Sequence, residues 1–523
     1  MRAVGTILVL VVLATVVATG ARRLRIPAPS LLVLAGLGVA LIPGTPPLHI
    51  APQTIALVVL PPLLYASAEE LSMRDLRLVW RPVTVLALGL VLASAAAVGA
   101  LAIAVTGLPV PMAFVLGSVL ASTDPVAVTA LGRRLALPGR VQVLVQAESL
   151  FNDATSLVLF KVAIGVAVAG TAVDWPHAGG EFLLLAGGGS AVGAAVAAGV
   201  AVVRRRTADP VLETVIALVT PYSAYVLAEG VHTSGVTAVV VAGVVLGRSG
   251  HKLSDARIRL QLQAVYGVVV FLLESVVFAI VGLELPTLVR DLPGGTSWWP
   301  LQALAVAALL IGLRILWMLP LTAVVKPVGG AASWRVAAVV TWAGTRGVMP
   351  LAAALSIPLV AADGAALPGR SLVLVLTTAV VVATLVAQGL SLAPLVNRSG
   401  IALEPEHTAR EEARTRRRLA GVGLEHLDQL ADLDAAPTAA LEQARRALDA
   451  RLQHDQQEPG EHNGQGHGSG SVLAAYRQIR REVIALQGGE LRRLYEEHEI
   501  SDTTRRHLQY DLDREESALA EGP

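Results

Sequence analysis

Two short stretches hold the residues best able to do chemistry: STDPVAV at 122–128 and ESLFNDA at 148–154. In the second, Glu148 and Asn152 are i,i+4 neighbours, as are Ser149 and Asp153. On a helix these four side chains form two polar ladders side by side on one stripe. Both stretches are embedded in apolar sequence, where an ionisable group costs at least about 2.5–3.5 kcal/mol on insertion scales. The stripe must therefore face protein or water rather than lipid. In the first stretch Pro125 removes a backbone donor and disfavours helical geometry at Asp124. A helix is expected to open there and free carbonyls beside Thr123 and Asp124. Freed carbonyls, hydroxyls and carboxylates suit a small hard cation, and a proton competes with that cation for a buried carboxylate.

A third stretch, WAGTRGVMP at 342–350, sets Gly344, Gly347 and Pro350 around Arg346. It too reads as an interrupted helix. Asp124 stands at this point either as an ion ligand or as the cap of a half-helix, because a capping carboxylate has the same sequence signature. Asp153 has no comparable structural reading, since a lone buried aspartate contributes nothing to packing in lipid. Arg314 lies inside an apolar run and needs an acidic partner. Glu148 is the partner expected, as a scaffold ion pair. Glu213, Glu229, Glu274 and Glu284 lie near segment ends or lack clustering and are read for the most part as interfacial. Lys161 is read as snorkelling toward the outer surface.

The elements that must position these residues are transmembrane helices. The chain has 523 residues, of which 54% are hydrophobic and 15% charged, and its mean hydropathy is +0.63. Forty-eight glycines are spread through apolar runs, as close packing of membrane helices requires. There is no cysteine, which excludes disulfides, zinc-thiolate sites and thiol nucleophiles together. Taking about 17–25 apolar residues per crossing, thirteen spans precede residue 398, centred near Leu10, Leu37, Val59, Val91, Gly117, Leu157, Val192, Leu218, Val240, Phe271, Leu309, Thr345 and Leu376. The first is taken as a span and not a signal peptide. Every second loop is basic: 18 Lys and Arg lie on one side and only Arg2, Arg290 and Arg370 on the other. By the positive-inside rule the N-terminus lies outside and the C-terminal tail in the cytoplasm, with the chain in the inner (plasma) membrane.

The charge divides along the chain. Residues 1–398 carry 25 Lys and Arg against 16 Asp and Glu. That excess suits anionic lipid headgroups, and nucleic acid is not an expected partner. The expected domains are therefore a membrane-embedded domain over 1–402 and an acidic, helical cytoplasmic tail over 403–523. The tail contains a linker near 456–471, whose His462 and His467 are read as solvated. With helices 1–6 and 8–13 taken as two halves, the interrupted helices occupy the fifth position of each and the halves have opposite topology. The expected fold is thus an all-α polytopic membrane protein with two inverted repeats, crossed interrupted helices and a midplane ion site.

The sequence resembles the sodium/proton exchangers of the monovalent cation:proton antiporter family, in particular its bacterial electroneutral branch. ESLFNDA and STDPVAV in adjacent helices, with GTRGV later, carry the resemblance over the whole membrane part. It implies a core domain that moves against a dimerisation domain, a homodimer, and transported Na+ (or K+ or Li+) and H+ with no cofactor. On this sequence Asp153 corresponds to the carboxylate that binds cation and proton in turn, with Thr123, Asp124 and Ser149 supplying further oxygens. Asn152 matches the residue that separates electroneutral from electrogenic members. Glu148 and Arg314 match the family's core ion pair, and Arg346 its arginine in the second interrupted helix. One departure stands out: relatives often carry an acid after the aromatic of the third helix, where this chain has Ala66 after Tyr65.

A tail-regulated cation channel and a membrane-embedded enzyme are the competing readings. A channel fits inverted halves with interrupted helices less well. The chain contains no HExxH, GxSxG or P-loop motif to support an enzyme. A regulatory ligand or partner at the tail is left open.

Overall fold

The computed structural model of the chain describes residues 11–17, 19–20, 28–42, 51–124, 139–170, 175–207, 209–253, 255–292, 297–321, 333–399, 405–454, 470–497 and 499–521. Pro125, much of the first expected span and nearly all of the expected linker lie outside the described residues. Within them the regular structure is helical, and two isolated bridges, Asp124 with Thr345 and Val360 with Ala366, supply the extended pairing. The chain divides into two compact units. One comprises Met1–Leu253 with Ala264–Ala402, the other Ser254–Gln263 with Leu403–Pro523.

The first unit opens with α1 (Ala28–Ala40), α2 (Pro52–Glu69) and α3 (Met73–Thr84). Pro82 interrupts α3, which continues through a π-helical turn, Val85–Leu90, into α4 (Val91–Thr106). The short α5 (Val110–Ala121) follows, then α6 (Gly139–Ala169), α7 (Trp175–Arg204), α8 (Pro210–Gly230) and α9 (Gly235–Leu253). The 35-residue α10 (Ala256–Arg290) leads to α11 (Trp299–Leu321). Two short helices, α12 (Ser333–Trp342) and α13 (Val348–Leu355), precede α14 (Arg370–Ser399). Among the described residues seven helices are long and apolar enough to cross a bilayer, and shorter apolar helices stand between them. Their outer faces are apolar as well: Leu183 is 71% exposed and Leu316 63%. In water that would be a liability, and against lipid chains it is not.

Close helix packing depends on small residues at particular places. A Cβ on Gly36 of α1 would lie 2.3 Å from the carbonyl oxygen of Ala279 in α10, and one on Gly282 would lie 2.1 Å from that of Val33 in α1. Each helix thus holds a glycine against the other's backbone.

The second unit contains α15 (Pro405–Asp432), α16 (Thr438–His454), α17 (Gly470–Glu496) and α18 (Asp502–Glu521), packed with the first turns of α10. Apolar residues at helical spacing form two small cores, one around Leu491, Leu494 and Leu508 and one around Leu427, Leu448 and Val483. At the start of α18, burial pushes the Asp502 carboxyl up while the adjoining Arg506 and Arg505 pull it down, and the arginines win, leaving it below the usual carboxylate range. Asp513, only 4% exposed, receives a two-pronged bond from Arg259 of α10, with Nε to Oδ2 at 2.8 Å.

The α1–α10 contact gives a direct test. Gly282→Ala is expected to cost about 1–3 kcal/mol through overpacking, whereas Gly267→Ala, which meets open space, is expected to be neutral or stabilising. The thermal unfolding midpoints of the two variants in detergent measure the difference.

Candidate functional site

The site forms where two broken helices meet. The chain leaves α5 at Ala121, and Ser122 is already extended at φ −74°, ψ 152°. On the other side α12 stops at Trp342 and α13 starts at Val348, so residues 343–347 form a second non-helical segment. The two segments pair as an antiparallel bridge. Asp124 N–H donates to the carbonyl of Thr345 at 2.7 Å, and the Thr345 hydroxyl donates to the carbonyl of Asp124 at 3.0 Å. Broken helices expose amides at one end and carbonyls at the other, and within a membrane each must find a partner in protein.

Charged side chains complete much of that pairing. Arg346, 2% exposed, donates to the carbonyls of Leu120, in the last turn of α5, and of Gly344, at 3.3 and 2.9 Å. Arg314 of α11 donates to the carbonyls of Thr341 and Val340 at the end of α12, each at 3.1 Å. Cations thus occupy the negative ends of two half-helices, while Asp124 serves a positive one: its Oδ2 accepts from Val348 N–H at the start of α13, at 3.2 Å. A Cβ on Gly347 would lie 1.5 Å from this Asp124 oxygen. No larger residue fits there with the cap in place.

Alongside the crossing runs α6, an unbroken helix of 31 residues. Glu148 forms a two-pronged ion pair with Arg314, with bonds of 2.6 and 2.9 Å, and both residues are almost fully buried. The next residue, Ser149, donates to the carbonyl of Thr123 at 2.6 Å. Asn152 holds Thr123 from both sides, donating to its hydroxyl at 2.6 Å and accepting from its N–H at 3.3 Å. Ser156 anchors α6 to the carbonyl of Ser118 at 2.7 Å. Asp153 lies on the same helix, 7% exposed, within the field of Asp124 and hydrogen-bonded by the Ser122 side chain. Its Oδ1 is buried and has no hydrogen-bond partner.

Of the residues singled out in the sequence, Thr123, Asp124, Ser149, Asn152 and Asp153 gather at the crossing, and Glu148, Arg314 and Arg346 surround it. Asp124 does act as a cap. Several of the glutamates read as interfacial are not so. Glu213 is fully buried and paired with Arg204 at 2.6 Å, because α7 and α8 bring these near-neighbours in sequence together across their connection. Glu229 is only half-buried but binds Lys161, which also donates to the carbonyl of Thr233 at 2.9 Å. Lys161 is therefore a paired residue and does not snorkel freely. Glu274 sits half-buried at the middle of α10, away from either end of that helix. Ser122 and Thr345 also belong to the site. Their signal was present in the motifs but was masked by the Pro125 and Arg346 beside them.

A polytopic helical protein with crossing broken helices and a buried carboxylate beside them that keeps one oxygen unpartnered is a membrane transporter in form. Comparison with known proteins agrees: residues 8–398 match the family described as sodium/hydrogen exchanger, transmembrane. The chain belongs to that family. It is 34% identical over 443 residues to an uncharacterised sodium/proton exchanger of Mycobacterium tuberculosis, covering 82% of this chain and 81% of that one. It is 30% identical over 379 residues to the sodium/proton antiporter ApNhaP of Aphanothece halophytica, covering 72% and 70%. Among solved structures, the sodium proton antiporter MjNhaP1 of Methanocaldococcus jannaschii superposes with a TM-score of 0.63 at 20% identity, over 76% of this chain and 99% of that one, and so shares the fold.

Because Arg314 both pairs with Glu148 and caps α12, Arg314→Met is expected to destabilise the protein by about 3–5 kcal/mol. Replacing Glu148 by Met in the same chain is expected to recover only part of that loss, since the α12 carbonyls stay unbonded. A double-mutant cycle on thermal midpoints in detergent measures both.

Proposed function

We propose that the chain is a secondary antiporter that exchanges a monovalent cation, Na+ before K+ or Li+, for H+ across the plasma membrane, with Asp153 carrying either ion. The observation that carries this reading is the buried, unpartnered Oδ1 of Asp153. The other charges of the crossing are balanced: Arg314 and Arg346 offset Glu148 and Asp124. Asp153 is left with one negative charge in a medium that does not tolerate it, so it must hold a proton or a cation. The two compete for one carboxylate. Exchanging one for the other moves no net charge, which makes transport electroneutral.

Thr123 and Ser149, held at the crossing, supply further oxygens to the cation, with Asp124 adding its field. Asn152 keeps Thr123 in place and carries no charge of its own. The reciprocal meeting of two broken helices supports thirteen spans in two inverted repeats, with alternating access by movement of a core domain against a dimerisation domain in a homodimer. The loop charges support an external N-terminus and a cytoplasmic tail. A channel is disfavoured, since paired broken helices beside a buried carboxylate suit alternating access better than a pore loop.

In proteoliposomes with an imposed pH gradient, Asp153→Asn is expected to abolish cation-dependent dissipation of the gradient. Retained exchange in that variant would sink the assignment. Asn152→Asp is expected to keep exchange, because a carboxylate can still accept from the N–H and hydroxyl of Thr123. It should make exchange sensitive to membrane voltage, measured by clamping with potassium and valinomycin.

A further inference from the structure

Between α11, α12 and α14 the first unit carries a groove of about 540 Å³, the size of a small-ligand site. Its walls are apolar. Ile315 and Met318 come from α11, Ala337 and Ala338 from α12, and Pro394 and Leu395 from α14. At its inner end lie Thr341 and Trp342, the latter fixed by a 2.7 Å bond from its Nε1 to the Ser391 hydroxyl. Thr341 is also one of the residues whose carbonyl Arg314 holds. The groove therefore backs onto the broken helix of the crossing without including Asp153.

The mouth differs from the walls. Among the lining residues the charged one is Arg398, in the last turn of α14. It is exposed, and among the described residues its guanidinium has no hydrogen-bond or ion-pair partner. At the start of α12, Trp334 also lines the groove and is 62% exposed, with the Arg335 guanidinium 5.5 Å from the centre of its ring. Arg335 donates to the carbonyl of Ser399 at 3.2 Å, which ties the start of α12 to the end of α14. An exposed tryptophan among arginines at one end of an apolar groove has the character of a membrane interface, and the basic loops assign this end to the cytoplasm. From Trp334 to Thr341 the groove runs about 10 Å at about 1.5 Å per residue, within one leaflet of a hydrocarbon core about 30 Å thick.

Lipid chains can fill any apolar recess on a face turned to the bilayer. Selectivity here comes from charge. The described lining residues include an arginine and no carboxylate, which complements a headgroup of net negative charge, and a guanidinium can bind two phosphate oxygens at once. A zwitterionic headgroup brings its own ammonium to Arg398 and gains less. We propose that this groove binds an anionic phospholipid of the cytoplasmic leaflet, with one acyl chain along α12 and the headgroup phosphate on Arg398. The site is separate from Asp153 and does not rest on the antiport reading.

The test uses the full chain, purified free of lipid in an uncharged detergent. It is titrated with dioleoyl phosphatidylglycerol or dioleoyl phosphatidylcholine, and bound lipid is followed by native mass spectrometry. Wild type is expected to bind phosphatidylglycerol the more tightly. Arg398→Gln should weaken phosphatidylglycerol binding about fivefold and leave phosphatidylcholine unchanged, whereas Arg290→Gln, at the far end of α10, should change neither. Ala338→Phe, which fills the groove, should lower binding with the thermal midpoint kept; should it fail to fold, the exposed Arg398 decides alone. Equal affinity for the two lipids would overturn the inference, as would a loss in Arg290→Gln as large as that in Arg398→Gln. Displacement of phosphatidylglycerol by equimolar glycerol phosphate would also defeat it, since the site would then be one for free phosphate. A shift of Ala338→Phe from dimer to monomer with lipid binding intact would mark the groove as a contact with a second copy, and is equally fatal.

Discussion

The ends of the broken helices are the constraint on which the rest of the first unit depends. A continuous membrane helix satisfies its own backbone, but a helix stopped inside the bilayer leaves amides and carbonyls that only protein can bond. Here three of those ends are met by charge: Arg346 at α5, Arg314 at α12 and Asp124 at α13. The extended segments then bond each other through Asp124 and Thr345. Such an arrangement needs glycine at 347, where the capping carboxylate occupies the space of a side chain. It also needs Glu148, without which Arg314 would be a buried charge with only carbonyls for partners.

Once this framework is charge-balanced, it isolates Asp153. Side chains around it are already committed: Ser149 and Asn152 to Thr123, Ser156 to Ser118. These bonds hold Thr123 and the end of α5 against α6, next to the carboxylate. Pre-organisation of this kind places the cost of ordering ligands in the folding of the protein and not in each binding event. An ion arriving at Asp153 finds oxygens already in place. Closely related stiffness lies in the bundle as a whole, where Gly36 and Gly282 hold α1 and α10 backbone to backbone.

Much of this was legible in the sequence because the strongest signals are expensive residues in lipid. Apolar runs gave the helices, Pro125 and the glycines around Arg346 marked the breaks, and the i,i+4 spacing in ESLFNDA placed Ser149, Asn152 and Asp153 on one stripe. What could not be read was which half-helix end each charge would meet. Asp124 was read as an ion ligand with a cap as the alternative, because the Val348 amide that it caps is more than two hundred residues away in sequence. Glu213, Glu229 and Lys161 were misread for a related reason: a charge near a segment end looks interfacial until its partner is known, and the pairs Arg204 with Glu213 and Lys161 with Glu229 form only through helix packing. Glu274 failed differently. It has no cluster in sequence, and it lies at the middle of a 35-residue helix and not near a segment end.

That contrast separates two uses of buried charge in one membrane unit. A paired carboxylate such as Glu148 or Glu213 has a fixed partner, and its energy is realised once, when the bundle assembles. An unpartnered carboxylate has no such partner and draws its compensation from whatever ion is present. It therefore responds to the concentrations of proton and cation, as a paired residue does not. Asp153 is the buried case, with one oxygen left over by every neighbouring donor.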